Sequence, residues 1–354
     1  MTLFFALLHL YIAVRLLPPL PLWAQVAGGL LVAVSLWLVP KGWWVPKAGP
    51  RTIMARWIAM GAFSWLFVLT ILRDIALVFM PSWADESAAA VLLLTPLITA
   101  IGFAMARRVA RVVDVEVPVR ELPAALEGFT IAQISDVHVG PTIKRDFVQR
   151  IVDRVNGLAP DMVALTGDLV DGSVLQLSAH TAPLAELRSR HGTYAVTGNH
   201  EYYSGAHAWI RELRRLGARV LLNEHVVIDH DGAELAVAGV TDWSAHHFDP
   251  SHRSDPHAAA RGAPERATKV LLAHQPRSAI HAAQAGYDLQ LSGHTHGGQF
   301  WPWNFFVKMQ QPFTAGLRKL GRLWVYTSRG TGYWGPPKRL GAPSEITHLR
   351  LVPA

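Results

Sequence analysis

Five short stretches, far apart in the chain, each follow an apolar, β-branched run that reads as a strand. They are Asp136-Val137-His138, Gly167-Asp168-Leu169-Val170-Asp171, Gly198-Asn199-His200-Glu201, Ala273-His274 and Gly293-His294-Thr295-His296-Gly297. Each supplies the oxygen or imidazole ligands that divalent transition metals take. One such stretch would mean little, since a buried Asp or His is usually a structural hydrogen bonder. Five at successive strand ends are hard to explain as core packing, and they require a fold that gathers strand C-termini in one place.

The order D-x-H, G-D-x-x-D, G-N-H-E, H, G-H-x-H resembles that of the calcineurin-like metallophosphoesterases, over about residues 112 to 354. The form Gly293-His294-Thr295-His296-Gly297-Gly298-Gln299, with apolar helices ahead of it, resembles the bacterial membrane-associated branch. That branch includes enzymes that cleave UDP-2,3-diacylglucosamine. The resemblance implies an α/β fold of two packed mixed β-sheets flanked by helices. It implies two divalent ions, the first held by Asp136, His138, Asp168 and His296, the second by Asp168, Asn199, His274 and His294. Such ions lie about 3.5–4 Å apart and share a bridging hydroxide that attacks phosphorus in line. In the family the residue matching His200 protonates the leaving oxygen or stabilises the transition state, and Asp168 is the shared catalytic carboxylate.

The residues carry a reading of their own beside this one. Asp136 and His138, two apart on an extended strand end, would point to the same side. His294 and His296 share that spacing, but their glycine-flanked loop allows them to diverge towards two ions. Asp171 is read either as a group that orients a histidine or as a helix N-cap. Glu201 either pairs with a nearby base or caps a helix. With no cysteine in the chain, thiolate ligation is excluded and the metal is expected to be Mn, Fe or Zn.

The chain of 354 residues divides into an expected transmembrane domain, 1–111, and a catalytic domain, 112–354. An apolar fraction of 51% with only 17% charged residues points to a membrane protein. Apolar stretches run over 2–17, 22–39, 53–80 and 88–106, giving a bundle of about four transmembrane helices. The last three reach the ~20 residues that spanning needs; the first is short. It lacks a basic n-region and a small-residue cleavage site, so it does not read as a signal peptide. Lys41, Lys47, Arg51 and Arg56 follow the second stretch, Asp85 and Glu86 the third, and Arg107, Arg108 and Arg111 the fourth. The positive-inside rule then expects a multi-pass protein of the inner (cell) membrane with its catalytic domain in the cytoplasm. Trp23, Trp43, Trp44 and Trp83 would form an interfacial belt, and Arg73, beside Asp74, would snorkel to the far interface.

Further on, strands and helices alternate as a layered α/β core requires. The segment 244–268, with His246, His247, His252 and His257, breaks the alternation; it reads as a mobile loop over the active site rather than a second metal site. Phe300, Trp301, Trp303, Phe305 and Phe306 cluster after the histidine loop, with basic residues close behind. They either pack inside the domain or face a bilayer. Trp301, Trp303 and Arg329 are taken as candidate substrate-binding residues. The expected partners are the bilayer and a phosphorylated substrate, with a lipid in view. A net charge of +7 would suit nucleic acid, but no basic recognition helix stands out and none is expected as a partner. No obligate protein partner is expected either. The competing reading is a membrane sensor or scaffold that only binds a ligand; complete ligand motifs disfavour it. A transporter with an attached domain is disfavoured too, since the helices hold a single charged pair.

Overall fold

The structure, a computed structural model, describes residues 2–40 and 49–354. Lys41, Trp43, Trp44 and Lys47, which entered the topology and the aromatic belt above, lie outside the described residues. The chain forms two compact units: Met1–Arg107 with Gly335–Leu340, and Arg108–Trp334 with Gly341–Ala354.

The first unit contains helices α1 (Thr2–Leu16), α2 (Leu22–Leu38), α3 (Pro50–Leu77) and α4 (Ala84–Arg107). Two helical stretches, Pro50–Leu77 and Pro81–Arg107, are long and apolar enough to cross a membrane. This corrects the expectation of about four. The 15 residues of α1 and the 17 of α2 rise ~1.5 Å each and fall short of a ~30 Å hydrocarbon core. Pro18, Pro19 and Pro21 end the first and Pro40 follows the second, where a continuing helix would need backbone N–H groups. Arg73 reaches the start of α4. It is buried and donates to Ser87 Oγ at 3.0 Å, to the Ala84 carbonyl at 2.8 Å and to Asp74 at 3.2 Å. Asp74 also accepts from Tyr11 at 2.7 Å and from Arg15 at 2.9 Å. Polar groups in an apolar unit thus satisfy one another.

The second unit holds two six-stranded sheets. The strands are β1 (Arg111–Val119), β2 (Thr130–Ile134), β3 (Met162–Leu165), β4 (Thr193–Ala195), β5 (Ala218–Val220), β6 (Glu224–His230), β7 (Ala233–Gly239), β8 (Thr268–Leu272), β9 (Leu289–Ser292), β10 (Gly316–Leu320), β11 (Leu323–Thr327) and β12 (Glu345–Pro353). The first sheet runs β1-β12-β2-β3-β4-β5 and the second β10-β11-β9-β8-β7-β6. Both are mixed: β12 is antiparallel to β2, and the hairpins β6–β7 and β10–β11 edge a parallel centre. Side chains alternate as a pleat demands. Val270 and Leu272 enter the core between the sheets with Ile131, Met162 and Leu349, while Leu271 and Ala273 join a second cluster with Ala279 and Ala282.

Helices α5 (Arg145–Asn156), α6 (Val174–Thr181), α7 (Asn199–Tyr203), α8 (Ala206–Arg215), α9 (Pro256–Ala260), α10 (Ala279–Gln284) and α11 (Trp303–Phe306) fill the connections. The segment 244–268 is no open loop. It folds into two 3-10 turns and α9, whose Asp255 cap accepts from Ala258 N at 2.9 Å and whose Ala259 is fully buried.

Candidate metal centre

The ends of β2, β3 and β4 from one sheet meet those of β8 and β9 from the other. Gln133 on β2 donates to the Ser292 carbonyl on β9 at 2.9 Å, and Thr331 N donates to the Ser135 carbonyl at 2.7 Å. Asp136 accepts from His294 N at 2.9 Å, so each sheet orients a ligand of the other.

The backbone reverses sharply at these ends. Asp136 and His138 both have φ of 54°, Asp168 52°, His294 69° and His296 51°. Asp136 and His138 do bring their ligand atoms to one place as expected, but not as an extended pair; that conformation is corrected. They converge because both residues lie in the left-handed region, a conformation short polar side chains tolerate better than β-branched ones. Two glycines leave the room this needs: a Cβ on Gly198 would collide with the Asp168 carboxylate, and one on Gly293 with Ser135 and Asp136.

Two groups of ligand atoms form around the inner carboxylates, Asp136 with His138 and His296, and Asp168 with His274 and His294, and a further group joins His138 to Asp171 and His200. In the first, His138 Nε2 lies 3.0 Å from His296 Nε2, which lies 3.5 Å from Asp136. In the second, His274 Nε2 lies 3.1 Å from Asp168 Oδ2 and 3.3 Å from His294 Nδ1. His294 and His296 thus diverge into separate groups.

The donor set fits a cation. His138 Nδ1 donates to Asp171 at 2.9 Å and His274 Nδ1 to the Thr166 carbonyl at 2.8 Å. Each ring therefore turns Nε2 towards the carboxylates, as metal-binding histidines do. Asn199 Oδ1 is buried with no hydrogen-bond donor among the described residues, an orphan a cation would satisfy. Burial disfavours charge on His274, yet the Asp168 and Asp136 carboxylates hold its pKa well above the usual imidazole range. A proton there occupies a place that calls for positive charge, and metal binding would release it. Burial, aided by His274, pushes His294 down to about 3, so it stays neutral and able to ligate. Burial would raise Asp168, but His274 and His200 hold it well below the carboxylate range. Asp136 is raised, by burial first and by the charge on Asp168.

His200 stands at the rim of these groups on α7. Its Nδ1 donates to Asp171 at 2.6 Å, and its Nε2 faces Asp168 Oδ2 at 3.9 Å. Burial opposes its protonation, but Asp168 and Asp171 raise it to about 9. Asp171 hence receives two histidines, and the cap of α6 is Ser173 instead. Glu201 caps α7 by accepting from Gly198 N at 2.7 Å, and it clamps Asp168 N at 2.9 Å and Leu169 N at 2.7 Å. That clamp was not foreseen from the sequence.

Arg329 turns to Glu345 at 2.8 Å, and its stem lies against Gly297. Trp301 is half-buried, Phe300 buried, and Trp303, Phe305 and Phe306 are exposed on or beside α11. Two aromatic neighbours of His200 escaped the sequence reading: Tyr203 with ring centroids 5.2 Å apart and Trp334 at 5.7 Å. Trp334 lies in the glycine-rich run 330–335, whose Gly332 admits no Cβ against the Val137 carbonyl; that run was the available signal.

Comparison with known proteins gives a consistent family. The description "Calcineurin-like phosphoesterase" matches residues 129–298. A "Transmembrane protein with metallophosphoesterase domain" of Danio rerio is 38% identical over 271 residues, covering 74% of this chain and 62% of that protein. Its namesake in Bos taurus is 41% identical over 274 residues, again 74% and 62%. An "Uncharacterized metallophosphoesterase" of Aquifex aeolicus is 33% identical over 243 residues, 68% of this chain and 91% of that protein. The chain spans about three fifths of the length of the first two.

Proposed function

This chain belongs to the calcineurin-like phosphoesterase family, and from that premise we propose that it is a membrane-anchored phosphoesterase that binds two divalent cations and hydrolyses a phosphodiester or pyrophosphate bond of a lipid-linked substrate. The observation that carries the chemistry is the pair of buried ligand groups, Asp136–His138–His296 and Asp168–His274–His294, with the orphaned Asn199 oxygen beside them. We assign Asp168 to both cations and Asn199 to the second. When bound, two such cations neutralise phosphoryl oxygens and make water at the site more acidic. His200 supplies the proton. Asp171 fixes its Nδ1–H, so Nε2 faces the site and hands its proton to the leaving oxygen as the P–O bond breaks. Tyr203 and Trp334 stand beside the His200 ring. The mixed nitrogen and oxygen ligands suit Mn, Fe or Zn.

Two helices of spanning length and two relatives described as transmembrane proteins support the anchor. For the orientation, Asp85 and Glu86 begin α4 while Arg107 ends it and Arg108 and Arg111 follow, which favours a cytoplasmic catalytic unit in the inner membrane. A reporter active only outside the cytoplasm, fused after Ala354, is expected to be silent. Strong activity from that fusion would move the substrate to the other face.

The lipid reading rests on α11. A Cβ on Gly298 would collide with Asn304, so this helix packs directly on the histidine loop while Trp303, Phe305 and Phe306 face outward. Each such side chain gains roughly 1.5–3 kcal/mol on burial, enough to hold an acyl chain or dip into a bilayer. Double substitution Trp303→Ala with Phe306→Ala is expected to raise KM for a lipid phosphodiester or pyrophosphate in mixed micelles about tenfold or more. A small soluble diester should be hydrolysed at nearly the original rate. Equal loss on both substrates, with a lower melting temperature, would remove the support for a lipid.

A further inference from the structure

A third set of ligands meets on the surface, away from the metal centre. His207 lies in the first turn of α8, and Asp249 and His252 flank the 3-10 turn Pro250–His252 in the segment that interrupts the strand–helix alternation. His207 Nε2 is 3.0 Å from Asp249 Oδ2, and His252 Nε2 is 4.0 Å from the same oxygen. All three offer ligand atoms within 4.8 Å of one another. Two imidazoles and a carboxylate are a ligand mix that zinc and neighbouring transition ions take.

Each ligand is also aimed from behind. Asp249 Oδ1 accepts from Ser251 N at 2.9 Å and Ser251 Oγ at 2.6 Å, which leaves Oδ2 for the two histidines. His252 Nδ1 lies 2.7 Å from the Tyr202 hydroxyl, whose oxygen can take the Nδ1 hydrogen and so turn the Nε2 lone pair towards Asp249. The His252 carbonyl is pinned by Thr241 Oγ1 at 2.7 Å. Such supporting contacts separate built metal sites from chance clusters. A recess of about 370 Å³, lined by Tyr202, His207, Arg211, Phe248 and Asp249, leaves room for water or an anion to complete the coordination shell.

We propose that His207, Asp249 and His252 form a third divalent-cation site of the zinc class, and that its ion staples the 249–252 turn to α8 and, through Tyr202, to α7. That helix carries Asn199 and His200, so occupancy of the outer site stiffens the wall of the inner one. The site stands on its own geometry and does not depend on what the inner centre hydrolyses.

The test uses the full chain in detergent, stripped with chelator and re-equilibrated with Zn²⁺. Bound zinc per chain is counted by elemental analysis, and trypsin cleavage at Arg253 and Arg261 is timed. Wild type should hold one more zinc than either His207→Ala or Asp249→Asn, whatever the inner centre retains. Tyr202→Phe should weaken that extra zinc about tenfold. Zinc should slow cleavage at Arg253 in wild type and leave both ligand variants unprotected. The His207 side chain is 65% exposed, and Asp249→Asn preserves the Ser251 contacts, so both variants should melt like wild type in chelator. Equal zinc counts in wild type and both variants would overturn the site, as would zinc-independent cleavage at Arg253.

Discussion

Asp168→Asn is expected to abolish turnover and to empty the metal centre. Its carboxylate is proposed to serve both cations, and the amide that replaces it keeps one acceptor but loses the charge. Fold should survive, because the amide oxygen can still accept from His200 N as Oδ1 does now at 2.8 Å. Metal content should drop below one ion per chain in the centre, and hydrolysis of a soluble diester by about 10²–10³ or more, the scale on which loss of one electrostatic element at a transition state is felt. His138→Ala, which touches one group only, should weaken one ion more than the other. Two ions per chain with full turnover in Asp168→Asn would refute the shared-ligand assignment.

His200→Ala should behave differently. The ring touches Asp171 and faces Asp168; it clusters with His138 and Asp171, outside the two groups assigned above to the cations. Metal content should therefore stay near wild type while kcat falls about 10²–10⁴, the usual range for lost general-acid catalysis. The loss should shrink for a substrate whose leaving group is already acidic, such as a nitrophenyl ester, because that bond needs little protonation. A uniform loss across good and poor leaving groups would take the proton-donor role from His200 and leave it as a prop for the centre.

The candidate ligand residues stood out in the sequence because each is a polar residue set at the end of an apolar strand, a juxtaposition that core packing does not produce five times. Their geometry was not. An apolar run ending in Asp136-Val137-His138 reads as extended, and nothing local announces two left-handed residues; tertiary hydrogen bonds such as His138 N to the Asp168 carbonyl at 3.1 Å hold them there. β5 alternates but over three residues only, too few to read a period, and β10 carries Arg318 and Lys319 on an edge without alternation. Trp334 reached His200 through long-range folding alone. Hydropathy found α2 but ran its apolar stretch to Val39, and the partners of Arg73, Ser87 and Ala84, cannot be seen along one helix.

β12 sits between β1 and β2, although it is made last of the twelve strands. It pairs with β1 over nine residues, Arg111 to Val119, and with β2 from Thr130 to Gln133. While the chain grows, β1 and β2 must wait with a gap between them as wide as one strand. β2 to β5 can pair without β12, but closing the sheet on β1 needs contacts more than two hundred residues apart. Synthesis and folding of this unit are thus separated in time. The waiting strands expose open edges to other chains throughout that interval. Anything that shields those edges until residue 353 emerges is expected to raise the yield of native protein.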